Sequence, residues 1–117
     1  MNYGMNSMIK IEYSDTFLKE AKKLAKKFKN LKKDLQEAVD EINTRNDLGV
    51  FLGSGIYKKR VKNSSIPTGK SGGFRIILLL QQEDRVVLLS IYSKTEMKTL
   101  SDEELRELVR LYLAKSS

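Results

Sequence analysis

The spacing of apolar residues in the first half of the chain predicts one strand and two helices. Ile9, Ile11 and Tyr13 alternate with charged residues, which is typical of a half-buried strand. Apolar residues then recur every three or four positions from Phe17 to Leu31, and again from Leu35 to Ile42, which indicates two amphipathic helices. Because few residues separate these two patterns, we expect an antiparallel helical hairpin.

The second half of the chain has the pattern of a small sheet followed by a helix. Three segments have the composition of strands: Ile56 to Lys62, Phe74 to Gln81, and Arg85 to Tyr92. A short polar turn joins the last two, so we expect them to pair antiparallel. Ser101 and Glu104 have the spacing of a capping box, which predicts the start of a final helix. The order of elements predicts an α+β domain with the helices on one face of an antiparallel or mixed sheet.

The length of the chain, 117 residues, is enough for one hydrophobic core, so we expect a single domain. Residues 1–7 show no periodicity and are expected to form a flexible leader, which leaves residues 8–117 as the domain. The longest apolar run, Ile76 to Leu80, is far shorter than a membrane span of roughly 20 residues. We therefore expect a cytoplasmic protein with no membrane partner.

Charge and composition narrow the chemistry further. Lys and Arg number 22 against 15 Asp and Glu, and the resulting net charge of +7 favours a polyanionic partner such as nucleic acid. Cysteine and histidine are both absent, which excludes thiolate nucleophiles, cysteine-held metals and the most common general base near neutral pH. We expect no metal or other cofactor, and any catalysis has to use Lys, Arg, Tyr, Ser, Thr or carboxylates.

The positive charge is concentrated in the predicted sheet. Between positions 48 and 82 there is no Asp or Glu, whereas six cations occur: Lys58, Lys59, Arg60, Lys62, Lys70 and Arg75. Alternation along a strand divides the first group between two faces, with Lys58, Arg60 and Lys62 on one and Tyr57, Lys59 and Val61 on the other. Cations about 7 Å apart along a strand match the repeat of a nucleic-acid backbone, which favours a functional interpretation of the cluster.

Other charged and aromatic positions have simpler interpretations. The lysines from Lys19 to Lys33 fit a solvated helix face better than a stripe that binds nucleic acid. Tyr57 and Phe74 fit the core better than a base-stacking platform. Ser101 is expected to cap a helix, and it is not expected to be a nucleophile because no base accompanies it.

The glycine-rich segment before Phe74 needs a separate test. Gly69, Lys70 and Ser71 resemble the end of a phosphate-binding P-loop, but Ser64 stands where that motif requires glycine. A strand is also expected to follow, where the motif requires a helix. We therefore exclude a nucleotide hydrolase and expect the glycines to let a basic loop bring its backbone N–H groups near a phosphate.

Three segments and the capped final helix together resemble the RelE/ParE toxins and, within them, the HigB-like branch of type II toxin–antitoxin systems. The segments are Tyr57-Lys58-Lys59-Arg60-Val61, the stretch from Gly69 to Ile77 with Gly72-Gly73-Phe74-Arg75 at its centre, and the stretch from Leu88 to Glu96. The resemblance implies a microbial-ribonuclease-like fold and cleavage of messenger RNA in association with the ribosome, which would inhibit translation. It also implies attack of a ribose 2′-OH on the adjacent phosphate without a metal.

The resemblance also assigns residues to the expected site. The expected catalytic residues are Lys58, Arg60, Arg75, Tyr92 and Lys94, and the expected RNA-binding residues are Lys62, Lys70 and Ser71. Arg75 corresponds to an arginine that holds the phosphate. Thr95 stands where RelE-type toxins often carry another arginine, and no tyrosine follows before the final helix. The division of acid and base roles is therefore open.

Two alternative functions and one further partner follow from the same features. ParE-type toxins share this fold and act on DNA gyrase without cutting RNA, and a non-catalytic nucleic-acid-binding domain would carry the same charge pattern. The resemblance implies a cognate antitoxin, whose acidic or amphipathic segment would cover the cleft or wrap the helices. Contact with operator DNA is expected only through that antitoxin.

Overall fold

A computed structural model describes residues 9–67, 72–96 and 99–116. The elements are β1 (Lys10–Tyr13), α1 (Asp15–Lys27), α2 (Leu31–Arg45), β2 (Val50–Gly53), β3 (Ile56–Val61), β4 (Phe74–Gln82), β5 (Arg85–Ser93) and α3 (Asp102–Ser116). The expected leader, residues 1–7, lies outside the described residues, as does most of the glycine-rich loop. Within those ranges, no helix has the length and apolar character needed to cross a membrane.

The strands form one mixed sheet in the order β1-β5-β4-β3-β2. β1 pairs parallel with β5, and the other neighbouring strands pair antiparallel. The mixed sheet and the antiparallel β4–β5 pair confirm the predictions from sequence. Strand β2 was not predicted, because Val50, Phe51 and Leu52 are all exposed and show no apolar–polar alternation.

Helices α1 and α2 cover one face of this sheet. The hydroxyl Oγ of Ser14 accepts the Phe17 backbone N–H at 3.0 Å and so caps the beginning of α1. The apolar stripes of α1 and α2 pack against alternate residues of the central strands. The resulting cluster includes Phe17, Leu24, Leu31, Ala38, Ile42, Ile76, Leu78 and Leu88.

Helix α3 covers the opposite face, so the prediction that the helices lie on one face of the sheet was wrong. Leu105 packs there in a second cluster, formed with the other alternate residues of the strands: Ile77, Leu79, Val87 and Leu89. Strand β4 is apolar at successive positions from Ile76 to Leu79, so both faces need cover. The predicted capping box is confirmed, since Ser101 N–H donates to Glu104 Oε1 at 2.8 Å and Glu104 N–H donates to Ser101 Oγ at 3.1 Å.

Candidate nucleic-acid interface

Arg60, Arg75 and Tyr92 form a row across three strands. Arg60 on β3 lies opposite Arg75 on β4, and Arg75 lies opposite Tyr92 on β5. Side chains directly opposite one another in an antiparallel sheet point to the same face, with Cβ atoms about 4.5–5.5 Å apart. Tyr92 belongs to the cluster beneath α3, so the row lies on the α3 face. Both arginines therefore lie on the same side of the sheet.

Arg75 is the buried member of the row. Arg75 is only 5% exposed, and its Nη1 donates to the carbonyl oxygen of Phe74 at 3.1 Å. Burial, together with the charge of Arg60, lowers the pKa of Arg75 from the ordinary arginine value. An anion bound between the two arginines would offset both effects, so this pair is suited to hold a phosphate.

Tyr92 supplies a hydroxyl next to the arginines. In the described part of the chain this hydroxyl is buried and has no hydrogen-bond partner. Burial raises the pKa of Tyr92, and the charge of Arg75 lowers it by a smaller amount. The phenol therefore keeps its proton near neutral pH and can act as a proton donor.

A groove of about 180 Å³ lies between the sheet and the beginning of α3. Its lining residues are Leu52, Lys58, Ile77, Tyr92, Thr99, Leu100, Asp102 and Leu105. Lys58 lies opposite Ile77 in the β3–β4 ladder and is half-buried. The groove thus brings Lys58 and Tyr92 together on the face that also carries Arg60 and Arg75.

Comparisons with known proteins bear directly on this arrangement. The family described as "RelE toxin of RelE / RelB toxin-antitoxin system" matches residues 13–116. The chain belongs to the RelE toxin family. A solved structure of the E. coli toxin RelE in the free state, with two arginines replaced by alanine, is similar with a TM-score of 0.57 and 16% identity. The match covers 89% of this chain and 97% of that one, and it shows the same fold. Among curated proteins, none matches the chain.

Membership of the RelE toxin family implies a cognate antitoxin. The HigB-like branch stays a prediction, since the matching family is RelE and Lys70, the loop residue expected of that branch, lies outside the described residues.

Two lysines of this RelE toxin lie away from the row of arginines. Lys59 points to the opposite face, as predicted, and its Nζ contacts Glu41 at 2.8 Å and Asp47 at 3.0 Å. Lys62 was expected to share a face with Lys58 and Arg60, which is wrong. Strand β3 ends at Val61, and Lys62 Nζ lies 3.8 Å from Glu37 on α2. This contact joins two exposed groups and is therefore weak, so binding of RNA by Lys62 remains a prediction.

Lys94 lies in the turn that follows β5. Its backbone N–H donates to the carbonyl oxygen of Gly73 at 2.9 Å, which joins the end of β5 to the beginning of β4. Gly73 itself lies so close to β3 that a Cβ atom there would be 2.1 Å from the Val61 carbonyl oxygen. Only glycine permits this approach, which holds β4 against β3 immediately before Arg75.

Glu20 on α1 is part of the support of the site and was not predicted from sequence. Its Oε1 accepts the Ile91 backbone N–H at 3.0 Å and the Ser90 hydroxyl at 2.8 Å. The β4–β5 pairing shifts register next to this point, between Leu88 and Ser90. One signal could have indicated a role: Glu20 is the single carboxylate among the residues between Asp15 and Asp34.

Proposed function

We propose that this RelE toxin cleaves messenger RNA in association with the ribosome and thereby inhibits translation. The observation that supports this proposal is the row of Arg60, Arg75 and Tyr92 beside Lys58 on one face of the sheet. Metal-independent phosphodiester cleavage requires cations and groups able to transfer protons on one surface, and here two arginines share a face with a groove lined by Lys58 and Tyr92.

The proposed chemistry is attack of a ribose 2′-OH on the adjacent phosphate. The new bond joins the 2′-oxygen to phosphorus, and the bond between phosphorus and the 5′-oxygen of the next nucleotide breaks, which leaves a 2′,3′-cyclic phosphate. Negative charge builds up on the phosphate oxygens in the transition state. Arg60 and Arg75 stabilise that charge from fixed positions, because the strand ladder holds them opposite each other.

Proton transfer falls to the two remaining groups of the site. Tyr92 donates to the leaving 5′-oxygen, because its raised pKa keeps the phenol protonated. Lys58, half-buried in the same groove, accepts the proton of the 2′-OH on Nζ, for which Nζ has to be an uncharged amine. Lys62, Lys70, Ser71 and Lys94 would bind phosphates on either side of the cleaved bond.

The deciding experiment measures messenger RNA cleavage on translating ribosomes by primer extension, with free RNA of the same sequence as a second substrate. We expect the wild-type protein to cut the ribosome-bound RNA and Arg75→Ala to lose about 100-fold or more in rate. Arg45→Ala is the matched control, since Arg45 is an exposed cation at the end of α2, and it should cut normally.

Three results would contradict the proposal in different ways. Equal rates of cleavage for free and ribosome-bound RNA would show that the toxin does not require the ribosome. Absence of cutting together with inhibition of gyrase supercoiling would favour a ParE-like toxin. RNA binding without cutting or gyrase inhibition would favour a non-catalytic nucleic-acid-binding domain.

A further inference from the structure

The groove beside Tyr92 has apolar walls that phosphate binding does not explain. Phosphates are bound by cations, hydroxyls and backbone N–H groups, such as the guanidinium groups of Arg60 and Arg75. Half of the residues that line the groove are apolar, and they come from β2, from β4 and from the beginning of α3: Leu52, Ile77, Leu100 and Leu105. These walls indicate that an uncharged part of the ligand enters the groove.

The size of the groove suits one flat ring system. An apolar cavity of about 150 Å³ holds a single benzene ring, and the groove, at about 180 Å³, is slightly larger. Proteins that bind an unstacked base hold it between apolar or aromatic side chains and identify it by hydrogen bonds to its Watson–Crick edge. The groove therefore has the volume and the walls to receive one base of a bound RNA strand.

Asp102 gives the groove a hydrogen-bond acceptor. It is the one carboxylate among the described residues that line the groove, and it forms no salt bridge with a described residue. A carboxylate repels phosphate, and in its ionised form it accepts hydrogen bonds without donating any. Its presence beside a site for a polyanion is explained by a ligand group that donates hydrogen bonds.

The position of Asp102 at the beginning of α3 offers a simpler explanation for its charge. Acidic side chains in the first turn of a helix stabilise the helix, and α3 begins with Asp102, Glu103 and Glu104. Glu104 is bound to the Ser101 N–H, and Glu103 does not line the groove. Glu103 is therefore a matched control, because it carries the same charge in the same turn outside the groove.

We propose that the groove binds the base of a nucleotide next to the cleaved phosphate, and that Asp102 selects a base with an amino group on its Watson–Crick edge. Adenine, cytosine and guanine carry such a group and can donate to the carboxylate. Uracil has its single N–H donor between two carbonyl oxygens, which the carboxylate repels. The inference rests on the proposed function, because it names the base that accompanies the phosphate held by Arg60 and Arg75.

The first test measures binding of three nucleoside 3′-monophosphates, those of adenine, cytosine and uracil, to the full-length toxin by NMR titration. The three probes share the ribose and the phosphate, so contacts with the arginines are the same and only the base differs. We expect the adenine and cytosine probes to bind at least tenfold more tightly than the uracil probe. We also expect them to shift the amide signals of Leu52 and Leu105, which line the groove from opposite ends of the chain.

Variants separate recognition of the base from the other roles of these residues. Asp102→Asn should reduce the preference to less than about threefold, because an amide also donates to the carbonyl oxygens of uracil. Glu103→Gln removes the same charge from the same turn and should keep the wild-type preference. Leu52→Ala removes part of a wall and should weaken binding of all three probes by a similar factor. A purely structural role of Asp102 would not change the order of the bases.

Cleavage on translating ribosomes gives a second and separate measurement. Messenger RNAs that differ only in the base on either side of the cleaved phosphate should be cut at least tenfold faster with adenine or cytosine than with uracil at one of the two positions. Asp102→Asn should cut them at similar rates. Cleavage without any base preference would overturn this inference and leave the proposed function intact. Base-selective binding without cleavage would overturn the proposed function and leave the base site intact.

Three binding results would also overturn the inference. They are equal affinity for the three probes, absence of binding by all of them, and shifts confined to the amides of α1. The same loss of preference in Glu103→Gln as in Asp102→Asn would assign the effect to the charge of the helix terminus.

Discussion

Glu20 on α1 and Ile91 on β5 are joined by a hydrogen bond of 3.0 Å between the Glu20 carboxylate and the Ile91 backbone N–H, across 71 positions of the chain. The same oxygen accepts the Ser90 hydroxyl at 2.8 Å. The β4–β5 pairing shifts register just before this point, between Leu88 and Ser90, so Glu20 provides a partner from outside the strands for a backbone group beside an irregular point. Helix α1 thus supports the strand that carries Tyr92.

Replacement of Glu20 is expected to reveal this support. Glu20→Ala leaves the Ile91 N–H without its partner, which should lower the free energy of unfolding by about 1–3 kcal/mol. Glu20→Gln keeps an acceptor oxygen, so it should lower the free energy of unfolding by less than half as much as Glu20→Ala. Urea unfolding followed by circular dichroism measures both. Equal stability of the alanine variant and the wild type would show that water replaces the carboxylate.

The stability of the protein should also depend on pH through Glu20. Burial raises the pKa of Glu20 above its ordinary value of 4.5, while the bonds from Ser90 and Ile91 act in the opposite direction. The unfolded chain therefore loses this proton at lower pH than the folded chain. The contribution of Glu20 to stability is greatest below the unfolded pKa and is lost as pH rises through the folded pKa. Unfolding of wild type and Glu20→Gln between about pH 4 and pH 7 should show the wild type losing stability relative to the variant, and a constant difference would refute the assignment.

Tyr92→Phe should separate activity from stability. The hydroxyl of Tyr92 is buried and has no partner in the described ranges, so its removal should leave stability unchanged or raise it by up to about 1 kcal/mol. Cleavage should fall by about 100-fold or more, because the proton donor is lost. Tyr57→Phe is the control on the other face, where Tyr57 contacts the Phe51 ring, and it should cleave normally. Normal cleavage by Tyr92→Phe would remove Tyr92 from the mechanism.

Replacement of Lys59 should lower the stability of the protein, whereas replacement of its neighbour Lys58 should leave stability almost unchanged. Lys59→Ala breaks contacts with Glu41 and Asp47 and should cost about 2 kcal/mol, less than the roughly 3–5 of a fully buried pair, because both carboxylates are partly exposed. Lys58→Ala should change stability by less than about 0.5 kcal/mol.

RNA binding provides the complementary measurement for these two lysines. Lys58→Ala should weaken binding of a single-stranded RNA and reduce the slope of log affinity against log salt by about 0.7. Lys59→Ala, measured where it is folded, should keep the wild-type slope. The reverse result would mean that Lys59, on the face covered by α1 and α2, makes the RNA contact.

Local patterns in the sequence predicted much of the fold and of the site. The capping box at Ser101 depends on residues within one helical turn, and it is confirmed. The alternation that separates Lys58 and Arg60 from Lys59 depends only on the geometry of a strand. These features need no knowledge of distant parts of the chain.

Features that depend on distant contacts were not predicted. Successive apolar residues in β4 do not reveal which helix covers which face, so α3 was placed on the wrong side. The sequence shows Glu20 only as one of several charged residues on an amphipathic helix, because its partners on β5 lie about 70 positions away along the chain. Lys62 was misplaced because β3 ends one residue earlier, at Val61, and no local signal in the sequence marks that end.

The ladder between β3 and β4 has a consequence for how this toxin can vary in length. A residue inserted or deleted between Ile56 and Lys59 would exchange the two faces of the rest of the strand, so that one change would expose Lys59 and bury Arg60. Insertions in the loop that follows Lys62 would leave both in place. Homologous toxins should therefore differ in length within that loop and keep a constant spacing between Arg60 and the turn of Gly53, Ser54 and Gly55 that joins β2 to β3.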